Sequence, residues 1–115
     1  MVGYKSFKEL HTLEQRKKTF EKFFEKSPDA IAVVVEYPEA EEAKKFCVPP
    51  RMVMSSLVSH IQQRLSLDPT EAIFAYVGDT VAPPVALLQD LYKEYKDEDG
   101  FLYVKIKKEV AYGSL

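Results

Sequence analysis

Residues 30–36, Ala-Ile-Ala-Val-Val-Val-Glu, form an almost unbroken apolar run dominated by β-branched side chains. Such side chains favour extended backbone, and a run without polar alternation reads as a strand at the centre of a sheet. Tyr37-Pro38 stops it, and the charged connection Glu39 to Lys45 reads as an exposed loop. The rest of the chain has to supply the elements that pack around this strand.

N-terminal to it, Thr12-Leu13-Glu14-Gln15 has the form of a capping box, and Leu13, Phe20, Phe23 and Phe24 recur at near-helical spacing up to Ser27-Pro28. This predicts a helix with one aromatic face, preceded by a shorter helix or turn around Tyr4 to Leu10. C-terminal to the central run, Phe46-Cys47-Val48 is a short strand halted by Pro49-Pro50. Leu57, Val58, Ile61 and Leu65 then form one stripe of a second helix, with Ser55 or Ser56 as the expected cap. Ile73 to Val77 reads as a strand, Gly78-Asp79 as turn chemistry, and Thr80-Val81 as a short return before Pro83-Pro84. A helix from about Ala86 to Tyr95, with Leu88, Leu91, Tyr92 and Tyr95 inward, ends at Asp97-Glu98-Asp99-Gly100, and Phe101 to Ile106 is the last strand. The order implies an α+β sheet packed on helices. Periodicity alone leaves ferredoxin-like and ubiquitin-like topologies open.

The 115 residues, 46% apolar and 30% charged, fit one globular domain with no internal repeat or dividing linker. A formal net charge of −2 argues against bulk nucleic-acid binding, which needs an excess of Lys and Arg to neutralise phosphates. Charge is uneven: residues 1–26 carry seven Lys/Arg against four Glu, and the remainder nine basic against fourteen acidic side chains. Arg16, Lys17 and Lys18 are therefore an expected basic cluster for acidic tubulin tails or anionic lipid, the plain alternative being a solvated helix face. Cys47 is the only cysteine, which excludes an intrachain disulfide and a cysteine-based zinc cluster and fits a reducing compartment. The N-terminus has no secretory apolar run, and Gly3 is one position too late for myristoylation. No stretch approaches the roughly 20 apolar residues of a membrane span, so membrane attachment would have to be acquired. The ending Gly-Ser-Leu matches the peroxisomal Ser-Lys-Leu only loosely.

Catalytic constellations are missing. Cys47 lies between Phe46 and Val48 in a strand, the setting of a buried or pocket-lining thiol and not of an activated nucleophile. His11 and His60 read as surface or boundary residues. If Gly100 is aligned with the glycine of a calcium loop, Tyr95 falls on the first ligand position and Ile106 on the last, which rejects that motif. No Gly-rich phosphate loop is present, and no enzyme activity, metal or cofactor is expected.

A set of segments nevertheless resembles the autophagy ubiquitin-like modifiers, the family of the GABA-receptor-associated proteins and the microtubule-associated light chains. They are Leu13-Glu14-Gln15-Arg16, Pro28-Asp29 before Val33-Val34-Val35-Glu36, Lys44-Lys45-Phe46-Cys47-Val48-Pro49, Ile73-Phe74-Ala75-Tyr76-Val77, Pro83-Pro84, Leu91-Tyr92, and Asp99-Gly100-Phe101-Leu102-Tyr103-Val104, ending at Tyr112-Gly113. In this order, over nearly the whole chain, they are specific. The resemblance implies an α+β, ubiquitin-like β-grasp with two additional N-terminal helices. It divides the chain into a helical extension (1–26) packed on the core, the β-grasp domain (27–110) and a flexible processed tail (111–115).

The same resemblance implies a function. A cysteine protease would cut between Gly113 and Ser114, and activating-like and conjugating-like enzymes would pass Gly113 to phosphatidylethanolamine, moving a cytoplasmic protein to the autophagosome membrane. Lacking Cβ, glycine lets the backbone enter narrow active sites, and the two acyl chains of a phospholipid hold firmly where one is marginal. Cargo receptors would dock an aromatic-x-x-aliphatic motif along the strand Lys45 to Val48. Its aromatic hollow would be lined by Thr19, Phe23, Ala32, Val34, Lys45, Cys47 and Phe101, and its aliphatic one by Phe46, Val48, Pro49, Met52, Leu57 and His60, with Arg64 near acidic flanks. The alternative is a ubiquitin-fold interaction domain used without conjugation, for example on microtubules. The chain departs from the family in a shorter Glu36-to-Lys44 connection, in Lys105-Ile106-Lys107-Lys108 where a more neutral or acidic stretch is usual after the last strand, and in Cys47 where a larger aliphatic residue is usual.

Overall fold

The computed structural model describes residues 5–37, 39–40, 42–68 and 70–108. Its elements run α1 (Phe7–Leu10), α2 (Leu13–Lys26), β1 (Ile31–Glu36), β2 (Lys44–Val48), α3 (Met54–Arg64), β3 (Ile73–Val77), β4 (Thr80–Val81), α4 (Leu88–Tyr95) and β5 (Leu102–Lys108). The five strands form one sheet in the order β2-β1-β5-β3-β4. β1 pairs antiparallel with β2 and parallel with β5, placing the apolar run at the centre. β5 pairs antiparallel with β3, and β3 with β4. This mixed sheet is the β-grasp arrangement, and it resolves the topology that periodicity left open.

Every residue of β1 is buried because both faces of the sheet are covered. Ile31, Val33 and Val35 point into the main core with Leu57 and Ile61 of α3, Leu88 and Leu91 of α4, and Leu102, Val104 and Ile106 of β5. Ala32 and Val34 point the other way, into a smaller cluster with Phe7 and Phe101 that the half-buried Phe20, Phe23, Ala43 and Tyr103 surround. The two-residue period of a strand thus divides one sequence run between two cores.

Both N-terminal helices begin with a capping box. Thr12 Oγ1 accepts from Gln15 N at 3.2 Å while Gln15 Oε1 accepts from Thr12 N at 2.9 Å, and Ser6 and Glu9 reproduce the pair one element earlier. The short α1 is fixed by its contacts. Phe7 N–H donates to the buried Glu36 carboxylate at 2.8 Å, and the Phe7 ring lies 6.0 Å from Phe101, edge on.

Four local expectations are corrected. Neither Ser55 nor Ser56 caps α3; its N-cap is Val53, which gives no side-chain cap. The free donors of the first turn are met by a distant loop instead: Met54 N–H donates to Ala86 O and Ser55 N–H to Pro84 O, both at 2.9 Å. α4, which begins at Leu88 and not Ala86, is capped reciprocally, Leu88 N–H donating to Met52 O at 2.9 Å and Gln89 N–H to Pro50 O at 3.0 Å. The stretch Lys105 to Lys108 does not follow the last strand but belongs to it, paired with Ile73 to Tyr76. The loop expected up to Lys45 ends earlier, β2 beginning at Lys44.

Candidate docking edge

β2 is one of the sheet's two outer strands, paired on one side only among the described residues. Its alternation sends Lys45 and Cys47 to the face covered by α1 and α2, and Phe46 and Val48 to the face covered by α3. An edge of this kind presents backbone donors and acceptors to an incoming extended chain.

On the α2 side, Ala32, Val34 and Phe101 are buried and form a floor. Phe23 and Thr19 are half-buried above it, and Lys45 and Cys47 are exposed at the rim. Phe101 is held edge on by Phe20 at 5.6 Å and Phe23 at 5.7 Å. Thr19 Oγ1 donates to Gln15 O at 3.1 Å. The Lys45 ammonium lies 5.2 Å from the Phe7 ring, a cation–π contact that fixes the rim. Cys47 is exposed, and partial burial still pushes its thiol upward, so it is mostly protonated at neutral pH. It also lines an open groove of about 510 Å³ that runs past Pro49 and Pro50 towards Ser27 and Pro28.

On the α3 side the expected lining splits. Phe46, Val48 and Leu57 are core residues, and Met52 packs against that core. Pro49, His60 and Arg64 are exposed. His60 lies 5.5 Å from the Phe46 ring, and the Arg64 guanidinium 5.4 Å from it. Phe46 is therefore the floor of this side and His60 with Arg64 its rim. Gly113 and Ser114 lie outside the described residues.

Arg16 does not belong to an exposed basic cluster. It is buried and donates to Asp99 at 2.8 Å and to Asp97 at 3.4 Å, leaving Lys17 and Lys18 exposed. Asp99, with a fully buried side chain, also accepts from Phe101 N–H at 2.8 Å and Tyr103 Oη at 2.5 Å. Burial opposes the charge on Arg16, but the neighbouring Tyr103 hydroxyl and Asp99 carboxylate outweigh that and raise its pKa. For Asp97 burial again opposes ionisation, and the Lys8 ammonium with the Asp99 N–H overcomes it, lowering the carboxyl. This network joins α1 and α2 to the turn carrying Phe101. There Gly100 has φ +100°, and a Cβ on it would come within 2.6 Å of the Phe20 ring. Phe7, Phe20 and the Arg16–Asp99 pair are the parts of the site that sequence reasoning missed. Ser6-Phe7-Lys8-Glu9, spaced like Thr12 to Gln15, was the available signal for α1.

No group of three His, Cys, Asp or Glu side chains among the described residues could hold a metal, and no described helix is long and apolar enough to cross a membrane. The family profile for the autophagy protein Atg8, ubiquitin-like, matches residues 15–113. The chain belongs to the Atg8 family. It is 37% identical to autophagy-related protein 8d of Arabidopsis thaliana, over 97% of this chain and 98% of that protein. Autophagy-related protein 8B of Oryza sativa subsp. indica is 39% identical over 96% and 97%. Among solved structures, Trypanosoma brucei ATG8 superposes with a TM-score of 0.80 at 33% identity, covering 92% of this chain and 96% of that one. Plasmodium falciparum Atg8, solved with a peptide of Plasmodium falciparum Atg3, gives 0.77 at 31% identity, with 91% and 97% covered. Atg8-family membership makes the chain an autophagy ubiquitin-like modifier, and the ubiquitin-like α+β fold with added N-terminal helices is the fold of its structural neighbours.

Proposed function

We propose that this chain is a membrane-conjugated docking platform: trimmed after Gly113, joined there to phosphatidylethanolamine, and carried to the autophagosome membrane, where β2 receives receptor peptides. The observation that carries the reading is the free β2 edge with a hollow on each face. A strand added to that edge would send successive side chains to opposite faces of the sheet. Residues three apart in it would reach the two sides, an aromatic over Phe23, Cys47 and the Phe101 floor, an aliphatic beside Val48, Pro49 and Met52. Arg64, exposed beside Phe46, suits acidic residues flanking the motif. The proposed partners are thus a processing cysteine protease, activating-like and conjugating-like enzymes, and cargo receptors. The Atg3 peptide on the Plasmodium relative supports the conjugating-like partner. The division into extension, core and processed tail belongs to the same proposal. With Arg16 in a buried pair, the N-terminal basic cluster that would favour a microtubule-binding reading is reduced to Lys17 and Lys18.

Burying a large aromatic side chain stabilises by roughly 1.5–3 kcal/mol, so alanine at either motif anchor is expected to weaken a micromolar complex about ten-fold or more. Titration of an aromatic-x-x-aliphatic peptide should shift the amide resonances of Lys45 to Val48 first, and Arg64→Ala should weaken acidic peptides more than neutral ones. In cell extract, cleavage should remove Ser114-Leu115, and Gly113→Ala should abolish cleavage and lipid attachment together. Membrane-bound protein that still carries Ser114 and Leu115 by intact mass, or peptide binding that leaves the β2 amides unmoved, would refute the respective half.

A further inference from the structure

α2 cannot roof the whole of its side of the β1–β2 pair. Pro28 disfavours helical backbone at the residue before it, and Ser27, the C-cap, stands at φ −144° and ψ 71°, so the helix stops at Lys26. From there the chain turns into β1, with the Ala30 N–H donating to Ser27 O at 3.1 Å. The part of the sheet left open is floored by small side chains. Ala32 and Cys47 face each other across β1 and β2 on the α2 side, and Ala30 and Pro49 continue the line past the strand ends. The result is the groove of about 510 Å³, which leads off the aromatic hollow at Cys47 and has Ser27 and Pro28 in its far wall. Lys26 and Asp29 border it with opposite charges, so its character is set by alanine, proline and the thiol.

Under the docking reading of β2, on which this inference rests, the two hollows fix how a peptide must lie. Lys45 and Cys47 rim the aromatic hollow, whereas Val48, Pro49 and Met52 of the aliphatic one lie further along the chain. A peptide whose aliphatic residue follows its aromatic one must therefore run parallel to β2. Run the other way, its aliphatic residue would fall beside Lys44, away from Val48 and Pro49. In an extended strand residues two apart share a face. The second middle residue, two after the aromatic, thus returns to the α2 side about 7 Å further along β2, over the groove between Cys47 and Pro49. We infer that this groove is a third subsite of the docking edge, which takes the second middle residue of the aromatic-x-x-aliphatic motif and selects a bulky apolar side chain there. A small or charged residue at that position leaves the alanine and proline floor facing water. A leucine covers it.

The test titrates the full chain with two synthetic aromatic-x-x-aliphatic peptides that differ only at the second middle residue, leucine against alanine. Full burial of a leucine side chain is worth roughly 10- to 100-fold in affinity, and the groove is open to solvent, so the expected gain is about five-fold. Ala30→Leu, which fills the groove, should bring that ratio below about two-fold. Lys93→Leu, exposed on α4, should leave the ratio as it was. In the complex with the unmodified chain, the methyl protons of the peptide leucine should show intermolecular Overhauser contacts to the Ala30 methyl and the Pro49 ring, a readout independent of how any variant folds. Equal affinity of the two peptides, contacts from that leucine to the α3 side or to no part of the groove, or a ratio that survives Ala30→Leu unchanged would overturn the inference. Any of these results accompanied by shifts of the β2 amides would leave the docking edge standing. If neither peptide moves the β2 amides, the docking reading falls and the subsite with it.

Discussion

Replacing Arg16 with alanine is the perturbation that most directly tests how the N-terminal helices are held. The Arg16 side chain is 11% exposed and the Asp99 side chain fully buried, at 2.8 Å. Removing one member of a buried pair leaves the other charge uncompensated, which typically costs about 3–5 kcal/mol. Asp99 keeps the Phe101 N–H and the Tyr103 hydroxyl as donors, which places the expectation at the lower end, about 3 kcal/mol. That is a large part of the roughly 5–15 kcal/mol that holds a domain folded. For a domain of this length it corresponds to a fall in Tm of about 10 °C. Urea unfolding followed by far-ultraviolet circular dichroism measures the loss, with Lys17→Ala as the control from the same helix. Lys17 is exposed, and its substitution should stay within about 0.5 kcal/mol. A double-mutant cycle with Asp99→Ala should give a coupling energy above about 1 kcal/mol. If Arg16→Ala costs no more than Lys17→Ala, or the coupling vanishes, the internal role given to Arg16 is wrong.

Asp97 supplies a pH signature. Its carboxyl is lowered below 3.8 in the folded state, so its contribution is fully present above that value and lost as pH falls through the folded pKa. Asp97→Asn should accordingly reduce stability at pH 7, and the difference from the unmodified chain should close progressively below about pH 4; a difference that persists unchanged at pH 2 would refute the assignment. Cys47 offers a direct reporter of docking, being exposed at the rim of the aromatic hollow and the chain's only thiol. Saturating aromatic-x-x-aliphatic peptide should slow its alkylation about ten-fold or more, the ratio being set by the fraction of edge left free. Unchanged alkylation under saturation would place the peptide elsewhere.

What the sequence made legible was whatever rests on near neighbours. The β-branched run announced β1, and the Thr12-to-Gln15 spacing announced the start of α2. The α3 cap was misread because the donors of that turn are met from Pro84 and Ala86, some thirty residues away in sequence. Arg16 was misread for the same reason: a basic residue between Gln15 and Lys17 looks solvated until Asp99 arrives from the other end of the chain. Lys107 and Lys108 were left outside the strand because strand propensity disfavours lysine. Pairing with Ile73 and Phe74 carries the strand through them regardless. In the candidate site, the residue set could be named from resemblance, but its division into floor and rim could not. Val34, Leu57 and Phe101 are at 0% exposure while Cys47, His60 and Arg64 face solvent, a distinction made only by packing.

The two cores have different work. The main one joins α3 and α4 to the inner face of the sheet, and its buried aliphatic residues carry the stability of the fold. The smaller one buries only Phe7, Ala32, Val34 and Phe101, yet it decides whether the β2 edge is specific. Without α1 and α2, Ala32, Val34 and Phe101 would be an exposed apolar strip beside a bare edge, able to pair with any extended chain. With α2 in place, Phe23 and Thr19 stand opposite Cys47 and Lys45, and the strip becomes a hollow with a wall, a rim and one open side. The hollow's depth depends on where α2 rests, and α2 is fixed by the Arg16 network and by the Phe20 contact that only a glycine at position 100 permits. Recognition at the edge is therefore set by groups that an incoming peptide would never touch.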